Sequence, residues 1–345
     1  MPSSQPLYLL PINTPYLSTA ALSAVSDAAE LSLALGRVLV EPAMRNGRVV
    51  SPFDPAWQRG ARATLGSYWD LRPLERRQRL ARLSALLDVS ANFTNPGWRL
   101  DDAVVVSAVG LRSADRIAKR PADEVRRFFA TSFPTAARAR LLVLSRFKPT
   151  VTHSGGHNFS AFGGAPYLPT APALVREAEA ITGELGRFAC VQWRAERSSP
   201  IGGLMTASQR TNWVGCAKQL ADSANARMEA AGLRSAVLMT DLYGGSDTMP
   251  TAGLKQAQRA LEVLEGISGV THPLHKIAAR QQTDGGAAAQ VELNVCARAA
   301  LLITCTGTLP GAQYCTKCAR AYSSFVSRLL AVRAELRPEI GAVGW

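Results

Sequence analysis

The stretch Phe188-Ala-Cys-Val-Gln-Trp-Arg-Ala-Glu196 decides how this chain is read. Residues 188–192 form a short, mostly apolar run that predicts a buried strand of a parallel sheet, and the run passes directly into a Gln-Trp-Arg-x-Glu cluster. In an open α/β sheet, ligands gather beyond the carboxyl ends of the strands, and an arginine there offers a planar fork of donors suited to phosphate or carboxylate. Arg194 therefore has two readings, a cation that holds a ligand or one half of a structural ion pair.

Helices and strands alternate on both sides of this junction. A helix over 171–185 precedes it, and an amphipathic helix over 208–231 follows, with Trp213, Cys216, Leu220, Ala224 and Met228 on one face. A strand over 235–240 ends at Asp241, helices cover 251–264 and 287–299, and a strand over 300–305 ends at Thr306-Gly307. The last helix opens near Tyr322 and carries Ser323, Ser324, Phe325, Ser327 and Arg328 in its first turns.

Upstream the same rhythm begins with a strand over 8–10, broken by Pro11, and a helix over 18–35 whose Leu22, Val25, Ala29 and Leu33 share a face. Gly36 stops that helix and a strand over 37–41 follows, which makes a βαβ unit and hence a parallel sheet. Ser67-Tyr-Trp-Asp-Leu-Arg-Pro73 leads into a basic helix over 74–87, and further strands fall at 103–107 and 140–144. The Gly- and Pro-rich stretch from His153 to Pro172 is the best linker, so the expected domains are 1–165 and 166–345. The expected fold class is α/β, two doubly wound Rossmann-like domains.

Composition narrows the function. With 345 residues, 47% hydrophobic and 19% charged, the chain has enough apolar material for two cores. Its net charge of +13 comes from arginines scattered singly and in pairs, without a basic run or an aromatic stripe, which argues against nucleic acid as partner. No run of about 18 apolar residues suggests a transmembrane span. Met1-Pro-Ser-Ser-Gln-Pro6 lacks the basic start and apolar centre of a signal peptide, while Asn92-Phe-Thr94 and Asn158-Phe-Ser160 are sequons that suit a secretory protein. Cys315-Thr-Lys-Cys318 reads as half a zinc site, a local disulfide or a pair of reduced thiols; Cys190 and Cys296, in apolar runs, read as buried packing residues.

Parallel topology brings three strand ends to one edge: Gln192-Trp-Arg194 with Glu196, Thr240-Asp241, and Thr306-Gly307 before the serine-rich helix. A helix start with free N–H groups and small hydroxyls is an anion site, and an arginine facing it completes a cradle for a diphosphate. Asp241 is placed to accept hydrogen bonds from a base or ribose. The footprint is that of a nucleoside diphosphate, without a Gly-x-Gly-x-x-Gly fingerprint or a Walker loop.

On these residues the chain resembles the GDP-fucose protein O-fucosyltransferase-like family of GT-B glycosyltransferases. Leu35-Gly-Arg-Val-Leu-Val-Glu-Pro42 and Ser67-Tyr-Trp-Asp-Leu-Arg-Pro-Leu74 are similar to two amino-terminal elements of that family. Gln192-Trp-Arg194 is similar to its His-x-Arg motif, Val237-Leu-Met-Thr-Asp241 to its strand ending in Thr-Asp, and 293–307 with Ser323-Ser-Phe325 and Arg328 to its carboxyl-terminal motif. The resemblance implies two Rossmann-like domains facing a cleft, an acceptor side in the first and nucleotide-sugar binding in the second. It implies transfer of fucose from GDP-fucose to a hydroxyl of a protein or glycan, with inversion and without a metal or other cofactor. Arg194 would hold the β-phosphate; Ser323, Ser324 and Phe325 would meet the diphosphate and Asp241 the nucleoside. Glu196 is either a general base or the ion-pair partner of Arg194 or Arg197. The family's compartment would be the lumen of the endoplasmic reticulum or Golgi. Two positions depart from the pattern: Gln192 replaces a histidine, and in Leu10-Pro-Ile-Asn-Thr-Pro-Tyr16 only Asn13 stands in for the Gly-rich first loop. These departures leave a second reading, a nucleotide-sugar or glycan binder of the same fold without turnover.

Overall fold

A computed structural model of the chain describes residues 6–13, 18–60, 62–86, 103–107, 121–145, 168–193, 212–240, 251–267, 270–273, 284–304 and 324–337. Two compact units emerge, Met1–Pro172 with Asp284–Ala287, and Ala173–Thr283 with Ala288–Trp345. The boundary expected at 165/166 lies outside the described residues.

The first unit is built on a parallel sheet of β1 (Tyr8–Ile12), β2 (Val38–Val40), β5 (Leu80–Ala81), β6 (Ala103–Ser107) and β7 (Leu141–Ser145), in the order β5-β2-β1-β7-β6. Helix α1 (Ser18–Ala34) crosses from β1 to β2. It ends as the sequence requires, with Gly36 at φ 67° and the Arg37 N–H donating to the Ser32 carbonyl, a Schellman closure. Pro11 does not break β1. Pairing with β2 stops at Leu9, so Pro11 falls where β7 alone is the neighbour and a missing N–H is tolerated as on an edge strand.

The basic helix expected over 74–87 is three elements instead: α3 (Arg72–Arg77), β5 and α4 (Leu83–Leu86). The carbonyls of Arg79 and Ala81 accept from the N–H groups of Leu39 and Glu41, and this pairing with β2 overrides local helix propensity. A hairpin of β3 (Ala43–Arg45) and β4 (Arg48–Val50) also appears, closed by Asn46-Gly47 with φ of 49° and 74°, the positive angles that a two-residue hairpin turn demands. Between them lie α2 (Pro55–Arg59) and the short 3-10 turn Leu65–Ser67, and α5 (Ala122–Ser132) and α6 (Pro134–Arg138) precede β7.

The second unit repeats the plan. Helix α7 (Pro172–Leu185) leads into β8 (Ala189–Trp193); α8 (Asn212–Ala230), β9 (Ala236–Thr240), α9 (Thr251–Glu265), β10 (Val270–Pro273), α10 (Gly285–Arg298), β11 (Leu301–Thr304) and α11 (Ser324–Leu336) follow. The sheet is parallel, in the order β10-β9-β8-β11. One face packs Ala189, Val191 and Trp193 against Trp213, Cys216, Leu220, Ala224 and Met228 of α8, the residues its periodicity put on one face. Burial of such side chains contributes roughly 1.5–3 kcal/mol each for the larger ones.

In each unit a buried arginine ties down a helix carboxyl end. Arg37 donates to the carbonyls of Ala136 and Ala137 in the last turn of α6, to that of Ala139 just beyond it, and to that of Tyr8. Arg333 of α11 donates to the carbonyls of Ala297 and Ala299 at 3.2 and 2.6 Å, which closes α10 just before β11. The last carbonyls of a helix lack intrahelical donors and carry its negative dipole end, so a cation there satisfies both.

Candidate functional site at the carboxyl edge of the second sheet

Strand β8 lies between β9 and β11, with Gln192 opposite Thr304 and Trp193 opposite Thr240. The ends of β8, β9 and β11 therefore share one edge. The strands after β8 extend outward through β9 and β10 on one side, while β11 is added on the other. Such a reversal of strand order is where open α/β sheets leave a crevice for ligands. Gln192 stands at this point.

Its side chain is 3% exposed and forms no hydrogen bond among the described residues. The amide nitrogen and oxygen keep contact with solvent, so water satisfies them and a ligand can take the place of that water. The amide offers both a donor and an acceptor, with no proton to gain or lose at neutral pH.

Side chains alternate along a strand, so Cys190 and Gln192 share the face opposite Ala189, Val191 and Trp193. Cys190 is disulfide-bonded to Cys296 of α10, with 5.2 Å between the α-carbons. Both cysteines are fully buried, and the reading of them as packing residues is corrected accordingly. Helix α10 brings Cys296 against the strand because it ends only three residues before β11, the neighbour of β8. Cys216 is disulfide-bonded as well.

Helix α10 runs antiparallel to the strands, since its carboxyl end feeds the start of β11. Glu292, one turn before Cys296 on the same face, thus lies toward the carboxyl edge. One helical turn of four residues rises about 6 Å, and two strand residues rise about 6.7 Å. Glu292 and Gln192 accordingly stand at one level, each a single step beyond the disulfide. Glu292 is half-buried and has no hydrogen bond or ion pair among the described residues. Burial pushes its carboxyl up to about 8. The sequence reading missed this residue. Its signal was a set of polar residues at 290, 292 and 294 inside an otherwise apolar helix.

Of the other expected site residues, Arg194, Glu196, Asp241 and Ser323 lie outside the described residues. Ser324 is the first residue of α11, Phe325 follows half-buried, and the Arg328 guanidinium on the next turn is fully buried. In the first unit, Asn13 ends β1 where the strand order reverses between β1 and β7; it is exposed and left-handed at φ 51°, a conformation that asparagine accepts. A cavity of about 650 Å³ in that unit, lined by Tyr8, Val38 and Arg79 among others, lies at the starts of β1, β2 and β5, the opposite edge of the sheet from Asn13. Among the described residues no cluster of three or more histidine, cysteine or acidic side chains is arranged to hold a metal, and no helix is long and apolar enough to cross a membrane.

No family model and no curated protein sequence matches the chain. Solved structures do. The apo form of POFUT1 superposes with a TM-score of 0.51 at 12% identity, over 98% of this chain and 97% of that one. The chain has the POFUT1 fold. POFUT1 in complex with GDP-fucose gives a TM-score of 0.51 at 11% identity, over 97% and 96% of the two chains. The mixed α/β architecture with parallel sheets, expected from the sequence, is that of POFUT1 from end to end.

Proposed function

We propose that this protein is a glycosyltransferase of the O-fucosyltransferase type, which transfers fucose from GDP-fucose to a hydroxyl of a protein or glycan acceptor. The single observation that carries the reading is Gln192, a largely buried side chain whose amide stays open to solvent at the reversal of strand order, in a chain whose fold matches that of a GDP-fucose-binding protein. The second domain, 166–345, binds the donor, and the first, 1–165, takes the acceptor, with Asn13 on its loop.

Gln192 and Glu292 serve the donor from the floor of the pocket. Two parallel N–H donors, the arrangement on the Watson–Crick edge of guanine, pair with the ionised form of Glu292, so binding of the base releases the proton that burial holds on this carboxyl. Asp241 contacts the nucleoside from the neighbouring strand end. Arg194 holds the β-phosphate, and Ser323, Ser324 and Phe325 present the start of α11 to the same diphosphate.

In the reaction the acceptor oxygen attacks the anomeric carbon from the face opposite GDP, and its bond to the β-phosphate oxygen breaks. The electron pair leaves with GDP, so negative charge grows where Arg194 stands. Glu196 takes the hydroxyl proton. Configuration inverts, and no metal is required when an arginine and helix N–H groups carry the leaving charge. A lumenal compartment, endoplasmic reticulum or Golgi, fits the buried disulfide, because such bonds persist where the environment is oxidising.

A second reading is favoured by the same Gln192, which replaces a titratable side chain with one that only hydrogen-bonds: a binder of nucleotide sugar or glycan without turnover. Titration with GDP and GDP-fucose, using wild type and Arg194→Ala, separates the two. Binding followed by GDP release with an acceptor supports the transferase, tight binding without hydrolysis or transfer supports the binder, and no binding by wild type defeats both.

A further inference from the structure

The Cys190–Cys296 bond closes a loop across 106 positions, from β8 around α8, β9, α9 and β10 to α10. A covalent staple against unfolding would serve at many points of that loop. This one sits one strand step below Gln192 and one helical turn below Glu292, on the face that both share. We infer that the disulfide is a positioning element of the donor pocket, holding Gln192 and Glu292 level so that both reach the same bound nucleotide. The inference rests on the donor-binding reading above.

The physical reason is register. Nothing else described at this level links the two side chains: neither has a hydrogen bond or ion pair among the described residues. Helix α10 is fastened at its far end, where Arg333 and Arg337 hold the Ala297 and Ala299 carbonyls, and between that end and Glu292 the sheet grips the helix on this face through Cys296. Asp284 caps the amino end of the same helix, so what the disulfide adds is control of the segment between the two ends, where only apolar packing opposes a roll of about an ångström. Such a shift is enough to spoil a two-point contact with a rigid base and ribose.

The test measures GDP affinity by calorimetry for wild type, Cys190→Ala/Cys296→Ala, and Glu292→Gln in both backgrounds. Loss of the disulfide weakens GDP binding by about tenfold or more, and Glu292→Gln costs less in the disulfide-free protein than in wild type, because residues that act as a unit are not additive. A bond that only stabilises the fold would lower the melting temperature and leave the Glu292→Gln penalty unchanged, and that result overturns the inference. Should the alanine pair fail to fold, wild type supplies the answer through reciprocity. Saturating GDP then slows reduction of Cys190–Cys296 by dithiothreitol, followed by alkylation and peptide mass so that the Cys216 disulfide is scored separately. An unchanged reduction rate overturns the positioning role alone. Failure of wild type to bind GDP overturns the donor reading and this inference together.

Discussion

Single side chains at the carboxyl edge of β8 set opposing demands on stability and binding. Gln192 keeps only its amide in reach of water, so Gln192→Leu, close in volume, removes a polar group from a largely buried position and raises stability by at most about 1 kcal/mol while it weakens GDP binding. Chemical denaturation and calorimetry on one preparation check both signs. Glu292 gives a pH signature. Its folded pKa of about 8 lies above the ordinary 4.5, so the native state holds the proton more tightly than the unfolded chain. Its contribution to stability is complete below about pH 4.5 and is lost as pH rises toward 8, by at most about 1.4 kcal/mol per pH unit. Glu292→Gln flattens urea midpoints between pH 5 and 8 relative to wild type. Arg194→Ala lowers turnover about 100- to 1,000-fold, the usual loss for a positioned charge stabiliser. The role of that arginine rests on the sequence, which offers a ligand-holding cation or a structural ion pair. Glu292 was not legible there, because a helix-borne carboxyl acquires meaning only when the helix is placed on the sheet.

Among the elements, the hairpin β3–β4 and the first turn of α10 fit with no slack. Asp284 accepts from the Asn46 N–H, the Tyr68 hydroxyl and the N–H groups of Gly286 and Ala287, which caps the helix and fastens it to the turn. Burial and Asp284 together hold the Tyr68 phenol well above its ordinary range, so it stays a donor at every working pH. A β-carbon on Gly286 would come within 2.2 Å of the Gly47 nitrogen, a backbone atom that cannot swing aside. Gly286→Ala therefore destabilises the first unit by about 3 kcal/mol, seen as an early transition in thermal unfolding, whereas an alanine at Gly183, with open space around it, is neutral within about 0.5 kcal/mol. The existence of most helices followed from periodicity; their interruptions did not. The helix expected over 74–87 gave way to β5 because two backbone bonds to β2 outweigh propensity, and that partner is some forty residues away.

At the level of the whole molecule, a ligand that binds the native state alone must stabilise it. GDP at about 100 times its dissociation constant raises stability by about 2.7 kcal/mol, so the melting temperature of wild type rises while that of Arg194→Ala at the same GDP concentration rises less. The sequence by itself determined the alternation of strands and helices, and with it the parallel sheets, because burial of apolar faces at periods of two and 3.6 residues is a local property of the chain. It also placed the end of β8 at Gln192, one residue short of the fully buried Trp193 that closes the strand. Tertiary structure alone decided that Cys190 meets Cys296 and that Arg37 and Arg333 close distant helices. Those facts depend on which face of a helix lies against which strand, and on direction and register across more than a hundred residues. No local pattern encodes them, because the free energy that selects them is that of the packed whole.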